Sequence, residues 1–150
     1  MTITNLARGG TVSGNGLEVL SETIAAKPNL VVIAFGMNDV SQRNPAQYAR
    51  NIKEIIDAVR VALPDSEFII VSPMLANPEW NWSPADQFIP YRDALASLVS
   101  PGVAMADMTQ LWTDMVKKKR YLDMVGNGIN HPNDCGQRLY AKVLLVVARQ

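Results

Sequence analysis

Apolar positions along this chain switch between two rhythms. Residues 30–35 (Leu-Val-Val-Ile-Ala-Phe) form an unbroken apolar run, the pattern of a strand buried on both faces. Phe68 to Val71 and Val103 to Ala106 repeat it in shorter form. Between these runs the period lengthens. Ile52, Ile55, Ile56, Val59 and Leu63 recur at helical spacing. Asn44-Pro45 ahead of them reads as an N-cap followed by proline at the first helical position. Helices are predicted over 16–27, ended by Pro28, and from Pro45 to about Leu63. Three more are predicted: from Ser83-Pro84 to about Val99, from a Thr109 cap to about Lys119, and from Asp134 to about Val147. Residues 2–6 (Thr-Ile-Thr-Asn-Leu) read as one further short strand, before a glycine-rich turn from Gly9 to Gly16. The alternation predicts an α/β fold: a parallel sheet with helices as crossovers, sandwiching it. Ligands of such sheets bind beyond the carboxyl ends of the strands.

Composition narrows the options. A length of 150 residues suits one domain spanning 1–150, and no internal repeat divides it. Net charge is zero, from 14 basic and 14 acidic residues. No broad basic field exists, so neither a nucleic-acid partner nor an anionic membrane is expected. The run Lys117-Lys118-Lys119-Arg120 falls at an expected helix end, where it complements the helix dipole. One cysteine, Cys135, and one histidine, His131, leave no disulfide and no metal-ligand spacing. No metal or cofactor is expected, and Cys135 is expected as a small packed residue. No stretch approaches the roughly 20 apolar residues that span a bilayer. Residues 1–5 lack a charged or apolar leader pattern, so they do not read as a signal peptide. The expectation is a soluble protein, cytoplasmic if the start is native.

Three short motifs carry chemistry. Asn5-Leu6-Ala7-Arg8-Gly9-Gly10 follows the first predicted strand, and glycines there let backbone N–H groups approach a ligand. Gly36-Met37-Asn38-Asp39 follows the second, where the Asn38 amide can donate to a developing oxyanion. His131-Pro132-Asn133 precedes the last helix and supplies the one imidazole, suited to general base work. Each has a plain alternative: a turn asparagine, a capping loop histidine, a tight turn that needs glycine for shape alone.

Taken in order, the three motifs resemble the second, third and fifth blocks of the SGNH hydrolases, the GDSL lipase/esterase superfamily. The resemblance spans about residue 3 to 147. It implies a flavodoxin-like three-layer α/β/α fold and hydrolysis of a small-molecule ester through an acyl-enzyme, without metal. It makes Gly10 N–H and Asn38 oxyanion donors and His131 the general base. Short acyl or acetyl esters, carbohydrate esters among them, are the expected substrates.

The chain departs from the family pattern twice. The first block, Gly-Asp-Ser, which carries the nucleophile, does not occur. The resemblance therefore implies an N-terminally truncated domain whose sheet misses its first, central strand. Exposed strand edges pair readily, so a homo-oligomer is expected. Ser13, Ser41 and Ser72 are the substitutes to weigh, Ser13 first because it sits in the glycine turn. Gly128 stands where the family places an aspartate three residues before the histidine, leaving Asn127, Asp123 or a carbonyl to orient His131. Trp80 and Trp82 are candidate substrate contacts or pins for their proline-rich loop. Asp39 is a candidate substrate contact or a loop brace. A non-catalytic binding module or a self-associating remnant is the competing reading.

Overall fold

The computed structural model of the protein describes residues 2–149. Three parallel strands form its sheet: β1 (Leu30–Ile33), β2 (Glu67–Val71) and β3 (Val103–Ala106), in the order β1-β2-β3. Val31 pairs with Phe68, and Phe68 in turn with Val103. The helices are α1 (Leu20–Ala25), α2 (Pro45–Ala62), α3 (Phe88–Ala96), α4 (Met108–Val116) and α5 (Asp134–Val147).

The sheet has an apolar layer on each face. Phe68 and Ile70 of β2 join Ile52, Ile56 and Val59 of α2 and Tyr91 and Leu95 of α3. Ile69 and Val71, pointing the other way, join Trp112 of α4, with Tyr140, Val143 and Leu144 of α5 packed against them. Alternation along β2 thus builds a three-layer α/β/α arrangement, and explains why the strand reads as continuously apolar. Each such buried side chain contributes roughly 1.5–3 kcal/mol.

Asn44 caps α2 by accepting from Gln47 N at 3.0 Å, with Pro45 at the first helical position. Gly16 is needed for close approach: a Cβ there would meet Ile55 Cδ1 at 2.6 Å and Phe35 Cε2 at 2.9 Å.

Several expectations are corrected. Residues 2–6 form no strand. Thr2 to Asn5 are exposed, and no neighbouring strand accepts them. An isolated extended segment lacks the ladder that would hold it. The helix expected over 16–27 is a 3-10 helix (Ser13–Val19) running into α1. Chain reversal comes at Lys27, whose φ is 47°. The third helix opens with a 3-10 turn (Ala85–Gln87) and ends at Ala96, short of Val99. Asp107, not Thr109, caps α4, accepting from Gln110 N at 2.9 Å. That helix ends at Val116, so the basic run lies beyond it. Lys117 pairs with Asp114 at 2.7 Å and Arg120 with Asp123 at 2.9 Å. Cys135 is exposed rather than packed.

Among the described residues no strand pairs with the outer edge of β1. Val31 and Ile33 face the α2 layer, while Leu30 and Val32 remain 41% and 49% exposed. Helix α5 packs chiefly on β3 and leaves that face of β1 half-exposed. No helix among the described residues is long and apolar enough to cross a membrane.

Candidate active site

The carboxyl ends of β1 and β2 open into a cleft of about 360 Å³. Gly10, Asn38 and His131 all line it, although 93 residues separate the latter two in sequence. Ser72, Pro73 and Tyr140 complete its wall, and no aspartate or glutamate lines it.

The Asn38 turn follows directly from β1. Gly36 adopts a φ of 121°, which L side chains rarely take, and a Cβ there would stand 3.0 Å from the Pro73 ring. Val40 N closes the turn on Gly36 O at 3.0 Å. Asn38 Nδ2 donates to Thr11 O at 2.8 Å, tying the glycine turn to the end of β1. A primary amide carries two N–H donors. One holds Thr11, and the second has no partner among the described residues.

Asp39 points inward. It is buried, and its Oδ1 accepts from Ser13 N at 2.8 Å and from the Ser13 hydroxyl at 2.5 Å. Oδ2 accepts from Gly36 N at 3.1 Å. Asn51 Nδ2, on α2, donates to the Ser13 hydroxyl at 2.9 Å. Tyr91 donates to Asp39 O at 2.6 Å, and Tyr48 to Phe35 O at 3.1 Å. Burial, and secondly the Asp39 carboxylate, push the Tyr48 phenol far above its ordinary range, so it remains a donor at any working pH. Asp39 is thus a brace beneath the cleft and does not line it, so of its two expected roles the substrate contact is corrected and the loop brace remains.

Ser13 is corrected likewise. It is fully buried, outside the cleft, and its hydroxyl is committed to Asp39. Ser41 donates to Asn38 O at 2.8 Å. Ser72 reaches the cleft wall, but its hydroxyl lies 3.2 Å from Asp107 Oδ1 and accepts from Thr109 N at 3.0 Å. Among the described residues, no serine presents a free hydroxyl to Asn38 and His131.

The His131 loop is built by Asn127. Its Oδ1 accepts from the backbone N–H groups of Ile129, Asn130 and His131, each at 3.0 Å. Its amide nitrogen reaches Asn130 Oδ1 at 3.2 Å. Asn127 therefore shapes the backbone and makes no bond to the imidazole, contrary to the orienting role expected of it. Gly128, at φ 71°, turns the chain between them. Gly126 N donates to His131 O at 2.8 Å. Asp123, a second candidate orienter, is paired with Arg120, and Asn133 donates to its carbonyl at 2.9 Å.

A second set of bonds fastens this loop to the segment after β2. Asn77 N donates to Ile129 O and Asn77 Nδ2 to Gly128 O, both at 2.8 Å. The Tyr121 hydroxyl lies 2.8 Å from Ile129 O and 3.0 Å from Leu75 O. Sequence reading missed Asn77 and Tyr121. Their only local signal is an amide in a proline-rich loop and a phenol near the histidine.

Neither tryptophan lines the cleft. Trp80 packs against the α2-side core, and Trp82 is 64% exposed. Among the described residues no cluster of histidine, cysteine and acidic groups could hold a metal.

The profile of the GDSL-like Lipase/Acylhydrolase family matches residues 1–139. The chain belongs to this family. It is an ester hydrolase by that resemblance. No curated protein sequence matches it well enough to add to this. Among solved structures, a lipase/acylhydrolase from Enterococcus faecalis superposes with a TM-score of 0.75 at 19% identity, over 90% of this chain and 69% of that one. A catalytic mutant of an acetylxylan esterase from Geobacillus stearothermophilus gives 0.73 at 16%, over 91% and 67%. A carbohydrate esterase family 3 protein from Talaromyces cellulolyticus gives 0.63 at 18%, over 94% and 70%. At these identities the likeness is one of fold. GDSL-family membership agrees with the resemblance carried by the three motifs.

Proposed function

We propose that this chain supplies the oxyanion-binding and general-base side of a site that hydrolyses short-chain acyl or acetyl esters. The observation that carries this is the convergence of Gly10, Asn38 and His131 on one cleft beyond the strand ends. Gly10 N–H and the second Asn38 N–H act as donors to the carbonyl oxygen as it gains charge, a contribution of about 3–4 kcal/mol per donor in other hydrolases. His131 removes the proton of the attacking hydroxyl and returns it to the leaving alcohol. The acetyl and carbohydrate esterases among the fold neighbours support acetylated carbohydrates as a substrate class.

A second reading has its own observation. The hydroxyls of Ser13, Ser41 and Ser72 are all engaged, and the sequence holds no Gly-Asp-Ser block. On that basis the chain by itself binds an ester without turning it over. Intact mass after fluorophosphonate treatment, with His131→Ala as control, separates the two. One adduct, absent in the control, establishes a working nucleophile on this chain. No adduct, with binding of a short ester retained, supports the binding role. The open β1 edge supports one further part of the proposal, self-association of the chain.

A further inference from the structure

We infer that the cleft recognises an anionic group beside the ester, and that Arg8 is the residue that selects it. The inference rests on the ester-site reading above and adds the substrate's charge.

Arg8 lines the cleft immediately before the Gly9-Gly10 turn. Its side chain forms no ion pair among the described residues, unlike Arg43, Arg92 and Arg120. With no aspartate or glutamate in the cleft wall, nothing there neutralises it. The neighbouring backbone is equally uncommitted. The N–H groups of Gly9, Gly10 and Thr11 donate to nothing among the described residues, whereas Val12 N and Ser13 N are bonded. A Cβ built on Gly9 or Gly10 would meet no atom within 4 Å. Packing therefore does not demand these glycines, although the φ of 77° at Gly10 does, and the space beside them is open to a ligand.

A guanidinium next to unpaired N–H donors is a site for a carboxylate. The fork of N–H groups matches its two oxygens, and charge-assisted bonds are about twice as strong as neutral ones. Phe35, Val71 and Met74 line the same cleft and offer an apolar surface to the short chain that joins charge and ester. Arg8 is two residues from Gly10. The reach of its side chain then sets the spacing between a ligand's charge and its ester carbonyl, and a short spacing is the one the test probes. Hemiesters of short dicarboxylic acids have that form, with the free carboxylate on Arg8 and the ester carbonyl at Gly10 and Asn38.

The test is an amide chemical-shift titration of the isotope-labelled chain with monomethyl succinate and with its neutral counterpart, methyl butyrate. Binding needs no nucleophile. The expected result is shifts at Gly9, Gly10 and the Asn38 side chain, with the hemiester roughly tenfold the tighter. In Arg8→Gln, whose exposed side chain is no part of the core, that preference disappears and methyl butyrate binds as before. Equal affinities, or a preference that survives Arg8→Gln, overturn the inference and leave the ester reading standing. If neither ligand moves the cleft amides, both fall together.

Discussion

The Ser13 hydroxyl donates to Asp39 Oδ1 at 2.5 Å across 26 residues of sequence, and both groups are buried. This bond clamps the glycine turn, which carries Gly10, onto the Asn38 turn. The turns that carry Gly10 and Asn38, the two donors proposed to share one oxygen, are thereby tied together through Asp39 below them. Ser13→Ala removes one donor to the carboxylate and strands Asn51 Nδ2. A loss of about 1.5–3 kcal/mol is expected in urea unfolding. Asp39→Ala leaves Ser13 N and Gly36 N unsatisfied as well and is expected to cost more. A Ser13→Ala chain as stable as the parent would show that the clamp carries no energy.

Gly36 is expected to be irreplaceable on two independent grounds. Its φ of 121° is strained for any L side chain, and a Cβ would press on Pro73 at 3.0 Å. Gly36→Ala should destabilise by about 1–3 kcal/mol from backbone strain alone. Thermal unfolding checks this. By contrast Gly9→Ala, where a Cβ meets nothing, should leave the midpoint within a degree or so of the parent.

How far this was legible depends on what each residue does. Helix α2 could be read because Asn44-Pro45 and the isoleucine spacing are local signals, and local signals survive into the fold. Asn38 and Asp39 are adjacent, yet one lines the cleft and the other lies beneath it. Nothing in a glycine turn says which of two neighbours faces inward, so the sequence leaves Asp39 open between substrate contact and brace. The Asn127 error is similar. Proximity to His131 suggested a bond to the ring, whereas its oxygen serves three backbone N–H groups. Residues 2–6 read as a short strand, but no described strand pairs with them, and a strand is defined by its partner. The α4 cap has a local signal: Asp107 stands three residues before Gln110, the spacing of a capping aspartate.

The loop that carries His131 makes a local prediction. Asn127→Ala frees three N–H groups of an exposed loop, and Tyr121→Phe removes a hydroxyl bridging Ile129 O and Leu75 O. Each loss is worth about 1 kcal/mol where water can partly replace it. Hydrogen exchange at Ile129, Asn130 and His131 should accelerate in Asn127→Ala while amides of β2 keep their protection. Uniform acceleration throughout the sheet would mean that the loop and core unfold together, against the local role.

The open edge of β1 makes the last prediction. Leu30–Ile33 presents unpaired backbone donors and acceptors on one side, with no proline, bulge or charge within the strand to discourage pairing. Leu30 and Val32 add exposed apolar surface beside it, and Leu145 and Val146 of α5 are 59% and 60% exposed. A second copy pairing edge to edge would extend the three-stranded sheet across the contact and cover Val32 from both sides. Sedimentation velocity over a concentration series should show mass rising above 16.5 kDa. Val32→Lys places a charge on that edge without touching the α2 side of the sheet, and should hold the chain at the monomer mass with its circular dichroism unchanged. A parent that stays monomeric at every concentration would sink the prediction. So would a Val32→Lys chain that associates as the parent does, because association would then run through some other surface.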